Sequence, residues 1–230
     1  MAKSKRKTTP QKPVADTIVP RLYLLTPVLS DVQAFAPELE AAMDAGDVAC
    51  VLVQVTGNDE GEIKKAAQRL ATIVQGREAA LLVEGDPRIA ARVNADGVHV
   101  RAKGEALGPA LANAVESCRP DRIVGAGGLR SRDDAMTAGE ADVDYVMFGE
   151  PAPDGWTPPP EQVLERAAWW AEIFNVPCVA YANTLQEVAE LAAARVDFIA
   201  LREAIWNDPR GPAAAVRDAQ ATIDSLEAEA

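Results

Sequence analysis

Four stretches of this chain share one pattern, an aspartate followed by a short apolar run. They are Gly46-Asp47-Val48-Ala49-Cys50-Val51-Leu52-Val53, Ala95-Asp96-Gly97-Val98-His99-Val100, Val143-Asp144-Tyr145-Val146-Met147-Phe148-Gly149 and Val196-Asp197-Phe198-Ile199-Ala200-Leu201. Such a run, rich in β-branched or aromatic residues and bounded by turn residues, reads as a strand buried on both faces. The aspartates stand at 47, 96, 144 and 197, in steps of 49, 48 and 53 residues. A crossover with its helix needs only a dozen or more residues, so each step has room for two strand–helix units.

Strands of the other parity lie where this spacing requires them: Arg21-Leu22-Tyr23-Leu24-Leu25-Thr26, Ala79-Ala80-Leu81-Leu82-Val83, Arg122-Ile123-Val124-Gly125-Ala126 and Pro177-Cys178-Val179-Ala180-Tyr181. Eight strands alternating with helical patterns predict a closed parallel (β/α)₈ TIM barrel. The rival, an open doubly wound sheet, more often carries a glycine fingerprint after its first strand, and Thr26-Pro27-Val28-Leu29-Ser30 has no glycine. A length of 230 residues suits one such barrel, which takes about 250.

Residues 1–17 differ from the rest. Lys3, Lys5, Arg6, Lys7 and Lys12 precede the first acid, Asp16, and Pro10 and Pro13 interrupt them, so the segment reads as a disordered basic tail ahead of a single domain over 18–230. Helices are expected over 30–45, 60–74, 87–93, 107–118, 131–138, 160–174, 184–194 and 212–226. Ser30 or Asp31 would open the first and Gly46 stop it, Gly139 would end the fifth, and Thr184-Leu185-Gln186-Glu187 would form a capping box on the seventh. Trp169 and Trp170 adjoin on the sixth helix, where neighbours point about 100° apart. Either one is exposed at a subunit contact in a homodimer, or both tuck under a loop.

The formal charge of −12 argues against a nucleic-acid binder with a broad basic face. It leaves room for phosphate ligands, which local amides and a few cations hold. No apolar run approaches the roughly 20 residues of a membrane span, and no signal-peptide core follows the start. Cys50, Cys118 and Cys178 are far apart, without metal-ligand spacing, and read as reduced residues of a cytoplasmic protein.

The strand sequences in this order resemble the thiamine phosphate synthase and TenI family. The likeness rests on Arg21-Leu22-Tyr23-Leu24-Leu25-Thr26, on Leu82-Val83 followed by Asn94-Ala95-Asp96-Gly97-Val98-His99-Val100, on Ile123-Val124-Gly125, on Asp144-Tyr145-Val146-Met147-Phe148-Gly149-Glu150-Pro151 and on Val179-Ala180. It implies a TIM barrel that joins a pyrimidine pyrophosphate to a thiazole phosphate in thiamine biosynthesis. It also implies a magnesium ion, with cations to stabilise the departing pyrophosphate.

The chemistry-bearing positions of that family carry other residues here. Its Gln-x-Arg-x-Lys falls on Leu52, Gln54 and Thr56, and its metal-binding Asn-Asp on Glu84-Gly85. Its Gly-Gln-Glu-Asp falls on Arg101-Ala102-Lys103-Gly104, and a serine after the fifth strand on Gly127. The sixth-strand Thr-x-Thr-Lys meets Asp154-Gly155-Trp156-Thr157, the seventh-strand Gly-Gly meets Ala182-Asn183, and the eighth-strand Val-Ser meets Arg202-Glu203. No metal site is therefore expected. The substitutions set a second expectation beside the family reaction, a barrel that binds a small anionic metabolite or a partner protein without turning it over.

Two sets of residues remain as candidates at the strand C-termini, where barrel sites lie. Glu84, Asp86 and Glu105 are candidate general bases, a carboxylate pair rebuilt by a one-residue shift, or simply solvated loop acids. Arg101, Gly127, Gly128, Arg130 and Arg202 are candidate holders of a phosphate or carboxylate, because arginine forks and glycine-loop amides suit oxyanions. Arg202 either reaches across the opening or pairs with Glu203. Asp96 starts a strand and reads as a structural cap. His99, the only histidine, lies inside a strand and reads as a packed core residue.

Overall fold

In the computed structural model, residues 19–54, 60–153 and 155–227 are described. The basic tail 1–17, Thr56 and Asp154 lie outside the described residues. Among those described, eight strands close a fully parallel barrel in sequence order: β1 (Arg21–Leu25), β2 (Val48–Val53), β3 (Ala80–Glu84), β4 (Gly97–Arg101), β5 (Ile123–Gly127), β6 (Tyr145–Phe148), β7 (Cys178–Ala182) and β8 (Phe198–Leu201). Closure is direct, with Leu22 of β1 beside Ile199 of β8.

Helices α1 (Val32–Met43), α2 (Glu60–Gln75), α3 (Pro87–Val93), α4 (Leu107–Cys118), α5 (Arg132–Glu140), α6 (Pro160–Ile173), α7 (Glu187–Ala193), α8 (Glu203–Trp206) and α9 (Pro212–Glu227) surround it. A 3-10 turn over Gly104–Ala106 precedes α4. Caps account for several starts. Asp31, rather than Ser30, accepts the Gln33 and Ala34 amides at 3.0 and 3.1 Å. Ser131 and Asp134 cap α5 reciprocally. The capping box expected over Thr184–Glu187 is not formed: α7 starts only at Glu187, whose carboxylate is taken up by the Asn183 N–H at 2.9 Å and the Thr184 hydroxyl at 3.1 Å. Gly139 does not end α5. The helix runs one residue further, to Glu140, and Gly139 serves packing instead, since a Cβ there would press on the Trp170 ring. The four-residue α8 was not foreseen, being too short to show a helical period.

Alternation along each strand divides the core in two. Outward residues such as Leu22, Val51, Leu81, Val98 and Val146 pack under the helices. Inward residues, among them Tyr23, Leu52, Leu82, Tyr145, Met147, Val179 and Tyr181, fill the barrel. Trp170 is fully buried, and Trp169 is half-buried against Trp170, Phe174 and Arg132, so neither stands exposed. All three cysteines are buried and free. No helix is long and apolar enough to cross a membrane among the described residues.

The repeated aspartates fasten the lower rim. Asp96 accepts the Leu81 amide, Asp144 the Val124 amide and Asp197 the Cys178 amide, each at 2.7 Å. Asp47 instead takes Arg21 in a two-pronged pair at 2.7 Å for both contacts.

Candidate functional site

The strand C-termini carry a belt of side chains. Arg202 donates to Glu203 at 2.6 Å and to Gln54 at 3.0 Å, and Gln54 in turn donates to Glu84 at 2.9 Å. Arg101 lies between Glu84 and Glu150, 3.6 Å from each, and donates to the Pro151 carbonyl. Gly128, with φ of 73°, turns the chain after β5 and aims its N–H at Glu150. On the far side Tyr181 donates to Glu203 at 2.5 Å. Burial works against the Glu203 charge, but the bonds from Arg202 and Tyr181 outweigh it and hold the carboxyl below the usual range.

Above β4, β5 and β6 this belt borders a pocket of about 270 Å³. Glu150 and Gly149 reach it from the end of β6, Arg101 and Lys103 from β4, Gly128 and Arg130 from β5, and Arg166 from α6. Trp156, half exposed, lies under the Arg130 guanidinium, 5.1 Å from ring centroid to carbon, a cation–π contact.

Below the pocket a polar chain descends into the barrel. His99 Nδ1 lies 2.8 Å from the Tyr145 hydroxyl, which lies 2.9 Å from that of Tyr23. Gly125 leaves space for the Tyr145 ring, and Gly127 for the His99 ring and the Glu150 carboxylate. Burial pushes both phenols well above their ordinary pKa, so they are neutral hydroxyls. His99 is fully buried, and its Nε2 faces Glu150 Oε1 at 3.8 Å with no hydrogen-bond partner. A carboxylate only accepts, so this geometry assigns the hydrogen to Nε2 and leaves Nδ1 to accept from Tyr145.

Of the residues expected at the site, Glu84, Arg101, Gly128 and Arg130 do line the pocket. Gly127 lies beneath it, giving room rather than amide contacts. Arg202 is on the opposite side of the mouth, held by Glu203 and Gln54. Asp86 caps α3 through the Arg88 amide at 2.9 Å and grips the Arg88 guanidinium at 2.7 Å, which holds its carboxyl below the usual range. Glu105 is exposed on the 3-10 turn, away from the pocket. The shifted carboxylate pair is thus not assembled. Among the described residues, no three His, Cys, Asp or Glu side chains converge as a metal site would need. The two pocket carboxylates, Glu84 and Glu150, both face the Arg101 guanidinium, a cation of the chain itself, so this arrangement does not fit a magnesium ion.

Glu150, Tyr145, Trp156 and Arg166 escaped the sequence reading as site residues. Only Glu150 carried a usable signal, a charged residue just past the end of a barrel strand.

A model of the thiamine monophosphate synthase family matches residues 22–205. The thiamine-phosphate synthase of Rhodospirillum centenum is 44% identical over 200 residues, 86% of this chain and 95% of that protein. That of Hyphomonas neptunium is 35% identical over 227 residues, 93% of this chain and 100% of that protein. Among solved structures, the thiamine phosphate pyrophosphorylase of Pyrococcus furiosus superposes with a TM-score of 0.72 at 19% identity, over 91% of this chain and 98% of that one. The 3-hexulose-6-phosphate synthase of Salmonella typhimurium superposes with a TM-score of 0.69 at 12% identity, over 89% and 99%. At such identities the superpositions speak for the barrel alone, but the sequence matches reach further: this chain belongs to the thiamine monophosphate synthase family.

Proposed function

We propose that the pocket over β4, β5 and β6 binds a small phosphorylated metabolite, and that the chemistry there is the family's joining of a pyrimidine pyrophosphate to a thiazole phosphate. The observation that carries this reading is the gathering of Lys103, Arg130 and Arg166 around one pocket of a chain whose net charge is −12. Cations so placed attract an anionic ligand and stabilise charge that develops on a departing pyrophosphate. A cytoplasmic setting, with neither nucleic acid nor membrane as partner, goes with this reading.

A second reading, binding without turnover, is favoured by one feature. A guanidinium of the chain itself, that of Arg101, already faces both pocket carboxylates, Glu84 and Glu150. Incubating the purified protein with both synthase substrates, with and without magnesium, separates the two. Condensed thiamine phosphate supports the first. Calorimetric binding of thiazole phosphate or pyrophosphate without product supports the second. If phosphate, pyrophosphate and thiazole phosphate at millimolar concentration all leave the melting temperature unchanged, both fail and a protein partner becomes the better reading.

A further inference from the structure

Three donors converge on one oxygen, Glu150 Oε1. The Gly128 N–H donates to it, Arg101 Nε lies 3.6 Å away and His99 Nε2 3.8 Å away. The first comes from the turn after β5, the other two from β4. A cradle of this kind, part backbone amide and part cation with low solvent access, is what an oxyanion needs. It holds the protein's own carboxylate, whose residue is 7% exposed. The fit is incomplete, because Arg101 Nε and His99 Nε2 are both buried without a hydrogen-bond partner. Gly127 makes room for this meeting, since a Cβ there would press on both Glu150 Oε1 and His99 Nε2. Glu84, on the other side of Arg101, adds a second negative charge nearby.

We propose that Glu150 is the specificity-determining residue of the pocket: its carboxylate occupies the Gly128–Arg101–His99 cradle as an internal anion, and an anionic ligand reaches the cradle only by displacing it. Phosphate groups therefore settle first at the outer rim, on Lys103, Arg130 and Arg166. His99 is a positioning residue, with its ring fixed from below by Tyr145 so that Nε2–H points into the cradle. The inference rests on the reading that this pocket takes anions.

Inorganic pyrophosphate is the probe, with calorimetry on the wild type and on Glu150→Gln, a replacement of equal size that can still accept the Gly128 N–H. Removing a like charge at contact distance should tighten binding by about tenfold or more. Because the chain has one histidine, its imidazole nitrogen resonances report the cradle without ambiguity. They should show the Nε2–H tautomer in the free wild type and move when pyrophosphate saturates either protein. An affinity in folded Glu150→Gln within twofold of the wild type overturns the proposal, as does saturation that leaves the His99 resonances unmoved. If Glu150→Gln does not fold, the resonance titration of the wild type decides alone. A variant that binds where the wild type does not would support this inference and count against the proposed function. Equal binding by both would count against this inference only.

Discussion

Asp96 and Leu81 hold each other twice: the Leu81 N–H donates to Asp96 Oδ2 at 2.7 Å, and the Asp96 N–H donates to the Leu81 carbonyl at 2.8 Å. The same oxygen accepts Gln75 Nε2 at 3.0 Å. One carboxylate thus ties β3 and the end of α2 to the start of β4. Replacing Asp96 with alanine leaves the Leu81 amide without its acceptor, and bonds to charged groups contribute about 1.5–3 kcal/mol. Urea denaturation of Asp96→Ala should show a loss of that order. A loss below about 0.5 kcal/mol would show the carboxylate to be ornamental.

Tyr145→Phe is expected to destabilise through the partners it abandons. His99 Nδ1 and the Tyr23 hydroxyl are buried and both are bonded to the Tyr145 oxygen, Tyr23 having the Cys50 thiol as a further partner. A buried polar group left unsatisfied costs about 1–3 kcal/mol. Thermal melts of Tyr145→Phe and Tyr23→Phe should rank the first as the more harmful, since it leaves His99 Nδ1 without its partner, whereas Tyr23→Phe leaves Tyr145 bonded to His99.

Acid should weaken the mouth through Glu203. Its carboxyl is held below the ordinary glutamate value of 4.5. A group with a depressed folded value contributes stability that is present above its unfolded value and is lost as pH falls through the folded one. Melting temperatures of the wild type should therefore drop as pH falls below about 4.5, and Glu203→Gln should show a smaller share of that drop. Since Glu203 is about half exposed, salt will reduce the difference. Parallel melting curves for the two proteins across that range would contradict this assignment.

The rim cations should govern affinity. A charged hydrogen bond contributes about 1.5–3 kcal/mol, so Arg130→Ala should weaken binding of thiazole phosphate by roughly tenfold to a hundredfold. Arg202→Ala, on the far side of the mouth, should leave that affinity nearly unchanged while lowering the melting temperature. Calorimetry on the two variants would expose an error if the effects were reversed.

The barrel was legible in the sequence because its cause is local and periodic. Asp96, Asp144 and Asp197 each precede an apolar run, and each fastens the strand before it, so one structural duty recurs at nearly constant spacing. The site was only half legible. Arg101 and Arg130 declared themselves by charge and by position after a strand. Glu150 did not, since what makes it matter is the Gly128 amide 22 residues away and the His99 ring. Gly127 misled for a physical reason: beside Gly128 it suggests a phosphate loop, but it lies inside the barrel and admits the His99 ring. Asp86 misled because a carboxylate before a proline at a helix start has its own local employment.

The belt at the mouth bears on how this scaffold can change. In barrels of this kind the loops after the strands are commonly treated as separate modules, each free to vary over a fixed frame. Here residues at or just past the ends of β2, β3, β4, β6 and β8 are bonded or paired to one another through Gln54, Glu84, Arg101, Glu150, Arg202 and Glu203. A loop transplanted singly would arrive without its neighbour's counterpart and strand a charge next door. New chemistry on this frame would have to come from coordinated replacements around the rim, so its route through sequence space is narrower than the modular picture suggests.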